Sequence, residues 1–266
     1  MNNIPTFVNA NCLEYLPKLA NDSIDFVLFS PPYDNLRTYK GYPPLDKIAL
    51  GKELYRVAKE GAICAVVIQD QTKDCAKSLS SFRWAIDWCD QCGWKLYETI
   101  IYKRNGVPGA WKGRFRVDHE YCLLFLKGDK PLYFNKDHLK VPCANAGKKG
   151  NIYRRQITGE TIRKDIIIPD KKCGGTVWEY VCGFRGNKTK HQHPATMPDK
   201  LASDLIRCFC PLEGLTLDPM AGSGTTCIAA ALAGRQSLGV EVSPEYVKIC
   251  RDRAKAEIAT VIFSAD

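Results

Sequence analysis

The chain reads as an α/β protein built on a doubly wound, Rossmann-like parallel sheet that carries an insertion, and three features of the sequence predict this. Unbroken apolar runs such as "DFVLF" (25–29) have the character of parallel strands buried on both faces. They alternate with segments of helical period on both sides of a Gly-, Lys- and Arg-rich middle. A glycine turn, "MAGSGTT" (220–226), joins one such strand to a helix. With 266 residues, 45% of them hydrophobic, the chain is long enough for one core domain with an insertion.

Taken in order, residues 5–29 predict strand, helix and strand, and the second strand ends abruptly at "SPPY" (30–33). Neither proline there can continue a sheet or a helix, since each lacks an N–H and fixes its own φ. The chain must leave the core at that point in one stiff conformation. A tyrosine-rich loop follows to about Pro44, then "LDKIALGKELYRVAKEG", apolar at helical spacing and expected to stop at Gly61. "AICAVVIQD" predicts a buried strand, and "SLSSFRWAIDWCDQCG" a helix opened by serines and closed by Gly93. "WKLYETIIYKR" and "HEYCLLFLKG" predict strands separated by a glycine-rich loop. From Leu132 to Lys190 no period is sustained. Regularity returns with "PDKLASDLIRCFC" (helix), "LTLDPM" (strand), "GSGTTCIAAALAG" (helix), "QSLGVEV" (strand), and a last helix entered through Ser243 and Pro244. The expected division is 1–134 and 191–266 for the two halves of the core, with 135–190 inserted between them.

The net charge of +9 is concentrated in the middle: residues 101–200 carry +12, and the flanking segments −1 and −2. Such polarisation suits a polyanionic partner, nucleic acid first of all. The thirteen cysteines are scattered from Cys12 to Cys250, mostly in apolar segments, which is the pattern of reduced core thiols. No apolar run reaches the length of a membrane span and the start resembles no signal peptide, so a cytoplasmic, nucleoid-associated protein is expected. Cys89 and Cys92 form C-x-x-C on a predicted helix without a second pair, and Cys173, Cys182, His191 and His193 are irregularly spaced. No metal site is expected from either set.

"LTLDPMAGSGTTCIAAALAGRQSLGVEVSPEY" (215–246) has the order strand, glycine turn, helix, strand. Gly222 and Gly224 would let the backbone approach a ligand closely at a helix N-terminus. Glu241 stands at the end of the next strand, where an acid can take both hydroxyls of a ribose. A phosphate-binding P-loop would need a Lys that "AGSGTT" lacks, and a dinucleotide fingerprint would need a third Gly where Cys227 stands. The bland reading, a tight turn with no ligand, is opposed by the spacing of Glu241.

Taken together, "LDPMAGSGTT" with "GVEVSPEY", "FSPPY", and "HPATMP" (193–198) resemble the motifs of the amino-methylating DNA methyltransferases. Their order, with the "SPPY" motif first, the basic insertion next and the glycine turn last, resembles the permuted β class of that family. The resemblance spans most of residues 5–134 and 191–255. It implies S-adenosylmethionine as cofactor, with Asp218, Ala221, Gly222 and Gly224 around its methionine moiety and Glu241 at its ribose. Pro219, Ser223, Thr225, Thr226 and Val242 would complete those two segments. Asn11 and Cys12 would lie near the adenine, Asn11 standing where Asp is common in the family. His193, Pro194, Met197 and Pro198 would line the methionine end.

On the same resemblance, Ser30, Pro31, Pro32 and Tyr33 form the catalytic motif. An exocyclic base amine is a poor nucleophile because its lone pair is delocalised. The Ser30 hydroxyl and the Pro31 carbonyl would accept its N–H groups and turn the lone pair toward the methyl. Tyr33 would stack on a base flipped from the duplex. In this family "SPPY" usually accompanies methylation of cytosine N4 and "DPPY" that of adenine N6. The implied activity is therefore cytosine-N4 methylation of duplex DNA, with adenine N6 as the alternative. More distant alternatives are an RNA or protein-amide methyltransferase and a catalytically idle DNA-binding module. Sequence recognition is expected from Lys148, Lys149, Tyr153, Arg154, Arg155, Arg163 and Lys164 of the basic insertion, bordered by Trp111, Lys112, Arg114 and Arg116. A homodimer and a companion restriction endonuclease are further partners that the resemblance admits.

Overall fold

The computed structural model describes residues 4–32, 44–105, 112–181 and 197–263. Tyr33, Trp111, Cys182, His191, His193 and Pro194 lie outside the described residues. The main compact unit, 1–135 with 176–266, holds an eight-stranded sheet. Its strands are β1 (Thr6–Asn9), β2 (Ile24–Phe29), β3 (Ala58–Ile68), β4 (Lys95–Asn105), β5 (His119–Leu126), β6 (Val177–Val181), β7 (Leu215–Asp218) and β8 (Gln236–Glu241). They lie in the order β1-β8-β7-β2-β3-β5-β4-β6. All neighbours are parallel except β5, which runs antiparallel to both β3 and β4.

The helices are α1 (Cys12–Tyr15), α2 (Lys47–Val57), α3 (Ser80–Gln91), α4 (Asp199–Phe209), α5 (Thr225–Leu232) and α6 (Pro244–Phe263). The sheet is covered on both sides because alternate residues of one strand serve different cores. Val27 and Phe29 join the cluster built with Leu50 and Leu54 of α2 and Trp84 and Trp88 of α3. Phe26, one step out of phase with them, stacks instead on Phe209 of α4. Every residue of β2 is buried, which explains its unbroken apolar sequence.

One charged side chain sets how the central strands align. Asp25, buried in β2, accepts from the backbone N–H of Leu215 at the start of β7 (2.9 Å) and from Lys59 Nζ of β3 (2.7 Å). A shift of either strand would leave a carboxylate buried without its partners.

The structure differs from the sequence reading at the end of α2. The helix stops at Val57, and Ala58 already belongs to β3. Lys127 is the cause: its buried ammonium takes the carbonyls of Tyr55 (2.9 Å) and Ala58 (2.8 Å) and the carboxylate of Asp22 (2.7 Å). Gly61 is therefore not a helix cap but a residue at φ +79° inside the strand, where the register with β2 is interrupted.

The second compact unit, 136–175, holds two hairpins that the aperiodic sequence did not announce. Lys140–Pro142 pairs with Lys171–Cys173, and Lys149–Arg155 pairs with Thr161–Ile167, both antiparallel. Residues 177–181, which the sequence assigns to the insertion, pair instead with β4 as the edge of the large sheet, Val177 against Ile101. Among the described residues no helix is long and apolar enough to cross a membrane, and no group of His, Cys, Asp and Glu is arranged to hold a metal ion.

Helices α2 and α3 meet so closely that a Cβ on Gly51 would stand 2.7 Å from Trp88 Nε1 and 2.8 Å from Cys92 Sγ. Overpacking costs about 1–3 kcal/mol, against a gain of about 0.8–1.0 kcal/mol in helix propensity. Gly51→Ala is expected to lower the unfolding free energy by about 1 kcal/mol in a urea titration. A gain in stability would mean that the interface has room the structure does not show.

Candidate active site

Two turns leave the sheet side by side. β2 runs out into Ser30, Pro31 and Pro32, and β7 into Pro219, Met220, Ala221, Gly222, Ser223 and Gly224. The two strands are parallel neighbours with Thr216 opposite Phe26 and Leu217 opposite Val27, so both turns emerge at the same edge, from strands about 4.8 Å apart. Winding reverses between them: from β7 the chain goes through α5 to β8 on one side, and from β2 through α2 to β3 on the other. In open α/β sheets this reversal opens the crevice where ligands bind. Thr226 Oγ1 of α5 donates to the carbonyl of Leu28 (3.2 Å), tying the glycine turn to the strand that ends in Ser30.

The glycine turn is braced from several directions. Gly222 and Gly224 have φ of +53° and +82°, which side chains rarely allow, and a Cβ on Gly224 would lie 3.2 Å from Phe7 Cζ and 3.1 Å from Cys250 Sγ. Ala221 N–H donates to the Val240 carbonyl (2.9 Å), and the Cys250 thiol to the Gly222 carbonyl (3.1 Å). Glu241, at the end of β8, accepts from Gly222 N–H (2.8 Å) through one carboxylate oxygen and from Ser243 N–H (2.9 Å) through the other. Burial pushes its pKa up, against the pull of these backbone donors.

Asp218 closes β7 and is 4% exposed. It accepts from Met220 N–H (3.0 Å). Burial pushes its pKa from 3.8 up to about 7; the Met220 N–H and the Thr226 hydroxyl oppose that rise, and the charge of Glu241 adds to it.

The ends of β1 and β8 meet at this same edge. Ala10 N–H donates to the Glu241 carbonyl (3.0 Å), and Asn9 Nδ2 to the carbonyls of Glu241 and Val242 (2.9 Å each). Asn11 caps α1 through its side-chain oxygen, taking Leu13 N–H at 3.0 Å. Cys12 is buried beneath it, its thiol pushed up to about 11 by burial. Met197 and Pro198 lead into α4, with Pro198 at its cap position.

A residue the sequence reading did not single out holds these parts together. Arg253, whose side chain is fully buried on α6, donates to the Ser223 carbonyl and hydroxyl and to Thr225 Oγ1. It also pairs with Glu257 (3.0 Å) and reaches Asp199 of α4 at 3.8 Å, linking the turn after Pro198 to the glycine turn. The signal available in sequence was its place beside the apolar stripe Val247, Cys250 and Ala254, where a charge needs partners.

The residues expected to read DNA fall in separate places. Lys149, Tyr153, Arg154 and Arg155 lie on one strand of the longer hairpin of the second unit, with Lys148 just before it, and Arg163 and Lys164 lie on its partner strand. Lys112, Arg114 and Arg116 belong to the irregular stretch before β5, where Arg114 donates to the Cys75 carbonyl (3.2 Å).

Comparison with known proteins agrees with this geometry. A family model described as DNA methylase, for the N6 and N4 methyltransferases, matches residues 24–252. The chain belongs to this DNA methylase family. It is 35% identical over 243 residues to the orphan methyltransferase M.BamHII of Bacillus amyloliquefaciens, covering 89% of this chain and 91% of that one. Among solved structures it resembles the cytosine-N4-specific PvuII DNA methyltransferase, at a TM-score of 0.70 and 18% identity, over 98% of this chain and 95% of that one. It also resembles TTHA0409 of Thermus thermophilus complexed with S-adenosyl-L-methionine, at a TM-score of 0.66 and 20% identity, over 96% and 95% of the two chains. The protein is thus a DNA methyltransferase of the N6/N4 family, and these neighbours share its mixed α/β sheet.

Two variants test the site of this methyltransferase. Because the folded-state pKa of Asp218 is raised, its contribution to stability is complete below about pH 4 and is lost as pH rises through about 7. Asp218→Asn should therefore flatten the fall of unfolding free energy between those limits, as read by denaturant titrations across that range. An unchanged slope would return Asp218 to ordinary carboxylate behaviour. Arg253→Ala should cost about 3 kcal/mol or more, because it strands the buried Ser223 carbonyl and removes the charge facing Glu257. A loss under about 0.5 kcal/mol, the scale of an ordinary surface substitution, would contradict its bracing role.

Proposed function

We propose that this methyltransferase uses S-adenosylmethionine to methylate the exocyclic N4 amine of cytosine in duplex DNA. The observation that carries the reading is the adjacency of the Ser30–Pro32 turn and the glycine turn at the point where winding reverses.

The residues present fit the cofactor. Gly222 and Gly224 hold the turn in backbone conformations that side chains rarely adopt, and carboxylates stand at the ends of β7 and β8. Asp218, Pro219, Ala221, Gly222, Ser223 and Gly224, with Thr225 and Thr226, would surround the methionine moiety. Glu241 and Val242 would take the ribose side, and Asn11 and Cys12 the adenine. A carboxylate offers about four acceptor positions, so accepting the backbone N–H groups of Gly222, Val242 and Ser243 still leaves room for a ribose hydroxyl. When bound, the cofactor supplies a methyl group activated by a sulfonium.

The chain then has to hold and orient the amine. The Ser30 hydroxyl and Pro31 carbonyl accept its N–H groups, leaving the nitrogen lone pair free to point along the line of attack. Proline suits this position because it donates no N–H of its own, so its carbonyl can turn outward without breaking a ladder. Positioning of this kind can supply about 7–11 kcal/mol without a covalent intermediate. Ser30, a neutral acceptor where adenine-methylating relatives of the resembled family usually carry Asp, favours cytosine N4 over adenine N6. The basic insertion, residues 136–175, supports the assignment of sequence recognition to that unit and argues against a protein-amide substrate.

Duplex DNA treated with the protein and labelled cofactor, then digested to nucleosides, should yield N4-methylcytosine by mass. N6-methyladenine alone would overturn the choice of base, and no labelled nucleoside would overturn methyl transfer. Ser30→Ala should lower turnover about 100-fold or more while cofactor affinity stays within about twofold. Equal loss of both would mean that Ser30 serves the cofactor site.

A further inference from the structure

The longer hairpin of the insertion has two unlike faces, and its register assigns every side chain to one of them. Arg155 lies opposite Thr161, Tyr153 opposite Arg163, Asn151 opposite Asp165 and Lys149 opposite Ile167. These residues share one face, since side chains alternate along a strand. The other face pairs Arg154 with Ile162, Ile152 with Lys164 and Gly150 with Ile166. It is largely apolar: Ile152 and Ile166 are half-buried, and Ile168 closes over Gly150, where a Cβ would stand 3.2 Å from its side chain.

The first face is exposed and, apart from Ile167 at one end, polar. Tyr153 is 66% exposed. Across from it, Arg163 Nη2 donates to Asn151 Oδ1 (3.2 Å), and its Nε lies 3.4 Å from Asp165 Oδ1. Exposed pairs like these add little to stability, with a median of about 0–1 kcal/mol. Their consequence is directional: they orient the planar guanidinium of the residue opposite Tyr153, and a guanidinium has more N–H donors than these two acceptors use. Lys149, Arg155 and Arg163 against the single Asp165 give the face a positive balance.

We propose that the face bearing Asn151, Tyr153, Arg155 and Arg163 is the base-reading surface of this methyltransferase, inserted as a two-stranded ribbon into the major groove of duplex DNA, with Arg163 contacting a guanine edge. The inference rests on the proposed action on duplex DNA. A B-form major groove, about 12 Å wide, admits a two-stranded ribbon, and a guanidinium matches O6 and N7 of guanine at two points. The deep, narrow major groove of A-form RNA would not admit the ribbon. Arg154 and Lys164 stand on the reverse face and take no part in reading bases, so the register separates residues that the sequence presents as one basic cluster.

The test maps methylated positions in DNA treated with the full chain and measures kcat/KM on duplexes with each base of the preferred site replaced in turn. Arg163→Ala should lose discrimination at one guanine by about ten- to a hundredfold, and Arg163→Lys should not restore it. Arg154→Ala and Lys164→Ala should change the rate, if at all, by one common factor for every sequence. Matching melting curves would show that the exposed substitutions leave the fold intact. An unaltered ranking of sites in Arg163→Ala, or an altered one in Lys164→Ala, would overturn the ribbon assignment while leaving the methyltransferase reading in place. A native chain that methylates no duplex DNA, or only RNA, would overturn both.

Discussion

The lateral pairing of β7 with β2 is the constraint on which the rest of this molecule depends. The register is held at its base by Asp25, which binds the Leu215 N–H and the Lys59 ammonium, and at its top by the Thr226 hydroxyl on the Leu28 carbonyl. Between these two points β2 is wholly buried, so it cannot slide by one residue without sending Phe26 and Val27 into each other's cores. Because the strands are parallel, fixing the register also fixes the relation of the turns that follow them. A proline turn and a glycine turn, nearly 190 residues apart in sequence, become neighbours for that reason alone.

The groups at that edge are held at some cost to stability. Asp218 and Glu241 are acids kept largely from water, and their raised pKa values express the resulting penalty. Gly222 and Gly224 adopt backbone conformations that most residues avoid. The opposing support comes from Arg253, which grips the turn from below through Ser223 and Thr225 and is itself balanced by Glu257 and Asp199. The glycine turn is thus braced by bonds within the chain itself.

The elements that position the site were legible in the sequence because they are the most buried. β2, β3, β7 and β8 announce themselves as apolar runs, and α4 to α6 follow from helical period with Ser243 and Pro244 as a start signal. The hairpins of 136–175 were not legible, because their strands are exposed on most positions and Arg154 and Lys164 interrupt the apolar alternation of the longer one. The end of α2 was misread because its stop signal, Lys127, lies far along the chain. Arg253 was harder to see: its place beside the apolar stripe Val247, Cys250 and Ala254 is the local signal, and its partners Ser223, Thr225 and Asp199 lie far away in the chain. The family resemblance named the Ser30 and Gly222 segments, and the topology supplied the reason they lie side by side.

A crystal structure with S-adenosylmethionine bound would test the central claim most directly. The account predicts a ribose at Glu241 and a methyl group directed at the Ser30–Pro32 turn, with space for one amino nitrogen about 3–3.5 Å from the methyl carbon. A cofactor bound elsewhere, or one whose methyl group faces away from Ser30, would contradict it.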